Sequence, residues 1–202
     1  MINLKTEFAE TKQDSRVEEL DILKGFLIIF VIIGHSRWAY TDYIYWFHMP
    51  LFFVCSGMVL NIPPKKEIGN WIKQRSRKFF VPYLIAFSLE SWIRNDFTVK
   101  SIIKFLYGGR LQPGVYWYIT CLFISLIVVV YIENKVPPKN IKFVYAMLYL
   151  SAIFESNILI PTDTIDFPSY LKFPWNIDVC LLAVVFIGIG YHLKGNLKTR
   201  LE

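Results

Sequence analysis

Residues 21–60, DILKGFLIIFVIIGHSRWAYTDYIYWFHMPLFFVCSGMVL, decide how this chain is read. They form two apolar segments joined by a short turn at 39–42, and they carry Lys24, His35 and His48. Ionisable side chains within membrane-length apolar segments are costly, and they mark functional paths. Lys24 and His35 are eleven positions apart. At about 100° per residue that is three turns plus about 20°, so both lie on one helix face, about 16 Å apart along the axis. His35 precedes the turn by about one helical turn, and His48 follows it by a little more than one. The hairpin therefore sets the two imidazoles at similar depth.

Outside the hairpin the same pattern continues. Of 202 residues 54% are apolar, and mean hydropathy is +0.40. The apolar residues fall in blocks of about 15–20, the length of a membrane-spanning helix. They do not alternate with polar ones, which excludes a β-barrel. The fold class expected is all-α, a polytopic membrane helix bundle of about six spans at 20–38, 43–60, 79–93, 115–132, 141–160 and 176–193. Residues 1–19 and 194–202 read as polar tails flanking a membrane domain over 20–193. The polar, mixed-charge start does not have the form of a cleavable signal, so the first span is expected to be retained. Most of the 22 lysines and arginines sit in alternate connections, which places both termini in the cytoplasm. The net charge of +6 is thereby read as topology, and no nucleic-acid partner is expected. Cys55, Cys121 and Cys180 lie in apolar blocks without a CxxC pair; they read as packing residues, and no metal is expected.

Smaller features follow from local rules. Pro82 is placed in the first turn of the third span, where proline is tolerated. Val99, Ile102, Ile103 and Leu106 have the spacing of a short helix on the membrane surface, ended by Gly108-Gly109. Ser56-Gly57, Gly25 and Gly34 read as small residues that let a helix or ligand approach. Pro50 is expected to kink the second span after His48.

A cation at the cytoplasmic mouth can hold an anionic donor, and a histidine deeper in can act as general base toward a hydroxyl. Lys24, His35 and His48 fit those roles. A carboxylate beside one of the histidines would fix its tautomer. Glu90, near the outer end of the third span, is the first choice, ahead of Glu155 and Asp178. The structural alternative stays open: each histidine packs between helices and bonds a backbone carbonyl. His192 reads as an interfacial residue.

At these residues the chain resembles the acyltransferase-3 family of integral membrane O-acyltransferases, in its fucose 4-O-acetylase-like branch. The matching pieces are Asp21-Ile-Leu-Lys-Gly, Gly34-His35-Ser36, Phe47-His48-Met49-Pro50-Leu51-Phe52-Phe53 and Ser56-Gly57. Further matches are Arg75-Ser-Arg-Lys78 with Pro82-Tyr83, Tyr116-Trp117-Tyr118, and Gly188-Ile-Gly190-Tyr191. Lysine stands at 24 and 78 where many members carry arginine. The resemblance covers about residues 16–193, the N-terminal part of a family domain with more spans.

The resemblance implies transfer of an acyl group, expected to be acetyl, from cytoplasmic acyl-CoA to a hydroxyl of a surface or lipid-linked sugar. His35 and His48 would be catalytic, with Glu90 added from position alone. Lys24, Arg75 and Lys78 would hold the phosphates of acyl-CoA. The expected setting is the bacterial cytoplasmic membrane, with lipid, acyl-CoA and a sugar or polysaccharide as partners. A second copy or a separate C-terminal chain would complete the bundle. Two other classes stand beside this one: an inactive relative serving as a membrane scaffold or subunit, and a small transporter fragment with histidines as proton relays.

Overall fold

A computed structural model of the chain describes residues 18–36, 41–108, 116–156 and 173–201, with the side chains of 18, 19, 42, 45, 46 and 195–201 left out. The N-terminal tail up to residue 17, residues 37–40 at the start of the hairpin turn, residues 109–115 and the proline-rich connection at 157–172 lie outside the described residues. Seven helices are described: α1 (Glu18–Gly34), α2 (Thr41–Met58), α3 (Ile68–Arg94), α4 (Val99–Tyr107), α5 (Tyr116–Lys135), α6 (Pro138–Phe154) and α7 (Ile177–Leu201). Single 3-10 turns at Lys65–Glu67 and Pro174–Asn176 lead into α3 and α7. Among the described residues there is no strand, in keeping with the all-α expectation.

The helix α7 is the centre of the bundle, packing against α2, α5 and α6, while α1 packs on α2 and α3 on α5. Two glycines make the central crossing possible. A Cβ added to Gly57 would run into the backbone carbonyl of Ile187, and one added to Gly190 into that of Val54. In an apolar solvent helices associate through close van der Waals contact, and paired small residues permit it. Gly188 is overlaid by the Tyr145 ring in the same way, which seats α6. Around these contacts Phe53, Val129, Val130, Ala183, Val184 and Ile187 form the core. The small-residue expectation thus holds for Gly57. No helix lies against Gly25, whose added Cβ would meet nothing within 4 Å among the described residues.

Two differences from the expected boundaries have physical causes. The helix α3 begins at Ile68, well before the apolar block at 79–93. Ile68 is buried, and Trp71 and Ile72 pack on the core at helical spacing, so this basic stretch is helical through one apolar stripe. Pro82 therefore lies in the helix interior, not in its first turn, and the carbonyl of Lys78 loses its usual donor. At the other end, α7 continues past residue 193 to Leu201. The helix α2 runs from Thr41 to Met58 through Pro50.

The short helix predicted at 99–106 is α4. Thr98 Oγ1 accepts from the Ser101 amide at 3.2 Å, and Ser101 Oγ accepts from the Thr98 amide at 3.1 Å. This reciprocal cap satisfies two amides that a helix start leaves open. Gly108 ends the helix at φ 63°, a left-handed value that glycine adopts without steric cost. Phe105 stacks on Tyr83 and Phe87 with ring centroids 4.5 and 4.1 Å away. Val99, Ile102, Ile103 and Leu106 remain exposed.

Exposed apolar faces recur on α1 (Phe26, Ile29, Ile32), α3 (Leu84, Ile85, Leu89) and α6 (Phe143, Met147, Leu150). Contiguous faces of this size are uncommon in water-soluble monomers and suit contact with lipid. By length and composition, two helical stretches among the described residues can cross a membrane, Tyr116–Lys135 and Pro174–Lys194. A shorter apolar stretch, Phe47–Met58, lies within α2.

Candidate functional site

The hairpin α1–α2 is closed by Leu27 and Ile44, both buried, and by an edge-to-face contact of Phe30 and Phe47 at 5.3 Å. His35 follows the end of α1, and its amide bonds Val31 O at 3.1 Å. Its ring Nδ1 lies 2.8 Å from the same carbonyl. His48 repeats the arrangement inside α2, with Nδ1 2.6 Å from Ile44 O. His48 is 1% exposed, whereas His35 is exposed at the end of its helix.

This geometry defines the tautomer of both rings. A carbonyl oxygen only accepts, so Nδ1 must carry the proton in each bond. The neutral imidazole then has its lone pair on Nε2. The backbone contact anticipated as the structural alternative is therefore present, and it also leaves the basic nitrogen at the outer edge of each ring.

The other residues singled out from the sequence are distributed over the bundle. Lys24 pairs with Asp21 at 3.5 Å and lies near enough to α2 for its charge to act on Cys55. Glu90 pairs with Arg94 at 2.9 Å and lies close to the Tyr116 hydroxyl. Arg75 sits over the Trp71 ring at 5.2 Å. Burial pushes its guanidinium below the ordinary value, yet an arginine of that basicity stays charged. Lys78 is exposed on the same helix.

The aromatic motif at the start of α5 links these parts. Tyr116 lies beside Glu90 on α3, while Tyr118 lies beside Ser56 on α2, whose hydroxyl donates to Phe52 O at 2.8 Å. Tyr118 also packs on Phe53 at 5.3 Å, and Phe123 on Phe80 at 5.1 Å. Thus α5 spaces the histidine hairpin from the helix that carries Arg75, Lys78 and Glu90. Asp178, ranked after Glu90 as a carboxylate partner, is buried at the start of α7.

A polar group missed from sequence lies at the other end of α5. Glu133 Oε1 accepts from the Tyr145 hydroxyl at 2.9 Å and meets His192 Nε2 at 3.0 Å. Beside it, Asn134 Nδ2 donates to Pro63 O at 3.1 Å, and Lys194 Nζ to Asn61 Oδ1 at 2.7 Å. His192, read as interfacial, is exposed near this end of α7 and joins a three-helix network. The only signal in the sequence was a set of polar residues near the ends of apolar blocks. The Cys121 and Cys180 thiols meet at 3.6 Å in the core, as packing residues on α5 and α7. Among the described residues no group of histidines, cysteines and carboxylates has the arrangement of a metal site.

Comparison with known proteins places these features. Residues 17–201 match the acyltransferase-3 family, described as an acyltransferase domain. The nodulation protein NolL of Mesorhizobium japonicum is 30% identical over 133 residues, covering 57% of this chain and 36% of the relative. The chain therefore spans about a third of that relative's length. No solved structure matches. With the family matched from the start of α1 to the end of α7, the chain belongs to the acyltransferase-3 family.

Proposed function

We propose that this protein transfers an acyl group, most simply acetyl, from acyl-CoA to a hydroxyl of a surface or lipid-linked sugar. The observation that carries the proposal is the shared tautomer of His35 and His48, whose Nδ1–H groups are committed to the carbonyls of Val31 and Ile44. Nε2 is then the nitrogen able to take a proton. In the proposed step, Nε2 of His35 removes the proton of the acceptor hydroxyl as its oxygen attacks the thioester carbonyl. The carbon–sulfur bond breaks, and the CoA thiolate leaves and takes up a proton. His48, buried within α2, orients or assists. Lys24, Arg75 and Lys78 supply positive charge for the CoA phosphates. Glu90, held by Arg94, contributes to the acceptor side.

This reading sets the bundle in the bacterial cytoplasmic membrane with about six spans and both termini in the cytoplasm. The donor approaches from inside and the acceptor from outside. The test is the O-acetyl content of the surface glycan in cells carrying the wild type or His35→Ala. Loss of acetylation in the variant, at equal protein level, is expected. Equal content in both would overturn the enzymatic reading.

A further inference from the structure

We propose that the groove between α6 and α7 binds one anionic phospholipid, its phosphate at Lys142 and an acyl chain along the apolar walls. The groove has a volume of about 810 Å³, within the range of about 300–1,000 Å³ that accommodates small-molecule ligands. Tyr145 and Ala146 form one wall, and Val185 and Ile189 the other. Its depth comes from Gly188, over which the Tyr145 ring lies where a side chain would otherwise project. Phe143, Met147 and Leu150 on α6 are exposed, so this face of the bundle suits lipid contact and a chain can enter from the side.

Charge selects the headgroup. Among the described residues, Lys142 and His192 are the charged or titratable groups lining the groove apart from its tyrosines, and both lie toward one end. Lys139 is exposed one turn before Lys142 on α6. Glu133, at the same end, is bound by Tyr145 and His192. Lys142 is exposed, and among the described residues lining the groove there is no carboxylate. Lys194 is tied to Asn61. A phosphodiester at this end pairs with the Lys142 ammonium, whereas a zwitterionic headgroup brings a competing ammonium of its own. A membrane lipid is therefore the occupant this groove fits, and the assignment does not depend on the acyl-transfer reading.

The full chain, purified in mild detergent, would be titrated with phosphatidylglycerol and with phosphatidylcholine of identical chains, and bound lipid counted by native mass spectrometry. Phosphatidylglycerol should bind about fivefold more tightly, the weight of one lysine near an anionic surface. Lys142→Ala should remove that preference and Lys142→Arg should keep it. Ala146→Trp, which fills the groove, should weaken both lipids. Equal binding of the two lipids to the wild type, or a preference unchanged in Lys142→Ala, would overturn the proposal. A native dimer that retains no lipid would overturn it as well, by assigning the groove to a second copy.

Discussion

Gly57 on α2 and Gly190 on α7 are reciprocal partners: each sits where an added Cβ would strike a backbone carbonyl of the other helix, that of Ile187 or of Val54. The contact holds the hairpin that carries both histidines against the centre of the bundle. Gly57→Ala is therefore expected to destabilise the protein by about 1–3 kcal/mol, as over-packing of a close contact does. Thermal unfolding in detergent would show this as a lowered midpoint. Gly25→Ala, with open space around the site, should stay within about 0.5 kcal/mol of the wild type. Equal effects at the two glycines would rule out the crossing as the reason for glycine at 57.

A second prediction separates the two duties of His48. Asparagine can donate from its side-chain amide to the Ile44 carbonyl but has no equivalent of the basic Nε2. His48→Asn should fold with a midpoint near the wild type and lose acyl transfer by about 10²–10⁴-fold if this ring works as a base. His48→Ala should lose both. Full glycan acetylation by His48→Asn would reduce His48 to a helix-packing role.

Glu133 gives a third. Its Oε1 is shared by Tyr145 and His192, from two different helices. Replacing it by alanine leaves a buried hydroxyl without its acceptor, a loss of about 1–3 kcal/mol. Tyr145→Phe in the Glu133→Ala background should then cost much less than in the wild type, because the two residues act through one bond. Strict additivity of the two substitutions in unfolding experiments would contradict the network.

The cap of α4 is a fourth. Thr98→Ala removes the acceptor for the Ser101 amide and should loosen α4 by about 1 kcal/mol. Hydrogen exchange of 99–107 should accelerate about fivefold at that energy, while α5 and α7 exchange as before. Unchanged exchange in α4 would mean that Phe105, stacked between Tyr83 and Phe87, holds the helix without its cap.

The histidine hairpin was legible because ionisable residues stand out inside apolar segments, and because Lys24 and His35 share a helical phase. The capped helix at 99–107 was legible for a similar reason, since its start, stripe and terminal glycine are all local signals. The start of α3 was not. A search for apolar blocks passes over 68–78, where the three residues Ile68, Trp71 and Ile72 anchor a helix among lysines and arginines. Pro82 was misplaced as a consequence. His192 was set aside because its partner Glu133 is 59 positions away, and no local pattern connects them.

By itself the sequence determined an all-helical chain, the hairpin with its two histidines, and the family to which they point. Those properties rest on composition, periodicity and short motifs, which are local. Tertiary structure decided which small residues matter, placing Gly57 and Gly190 in contact and leaving Gly25 in the open. It also decided the tautomer of both histidines, the partner of Glu90, and the Glu133 network. Each depends on where a carbonyl, a ring or a neighbouring helix lies in space, and contacts between distant segments leave no periodic trace in one sequence.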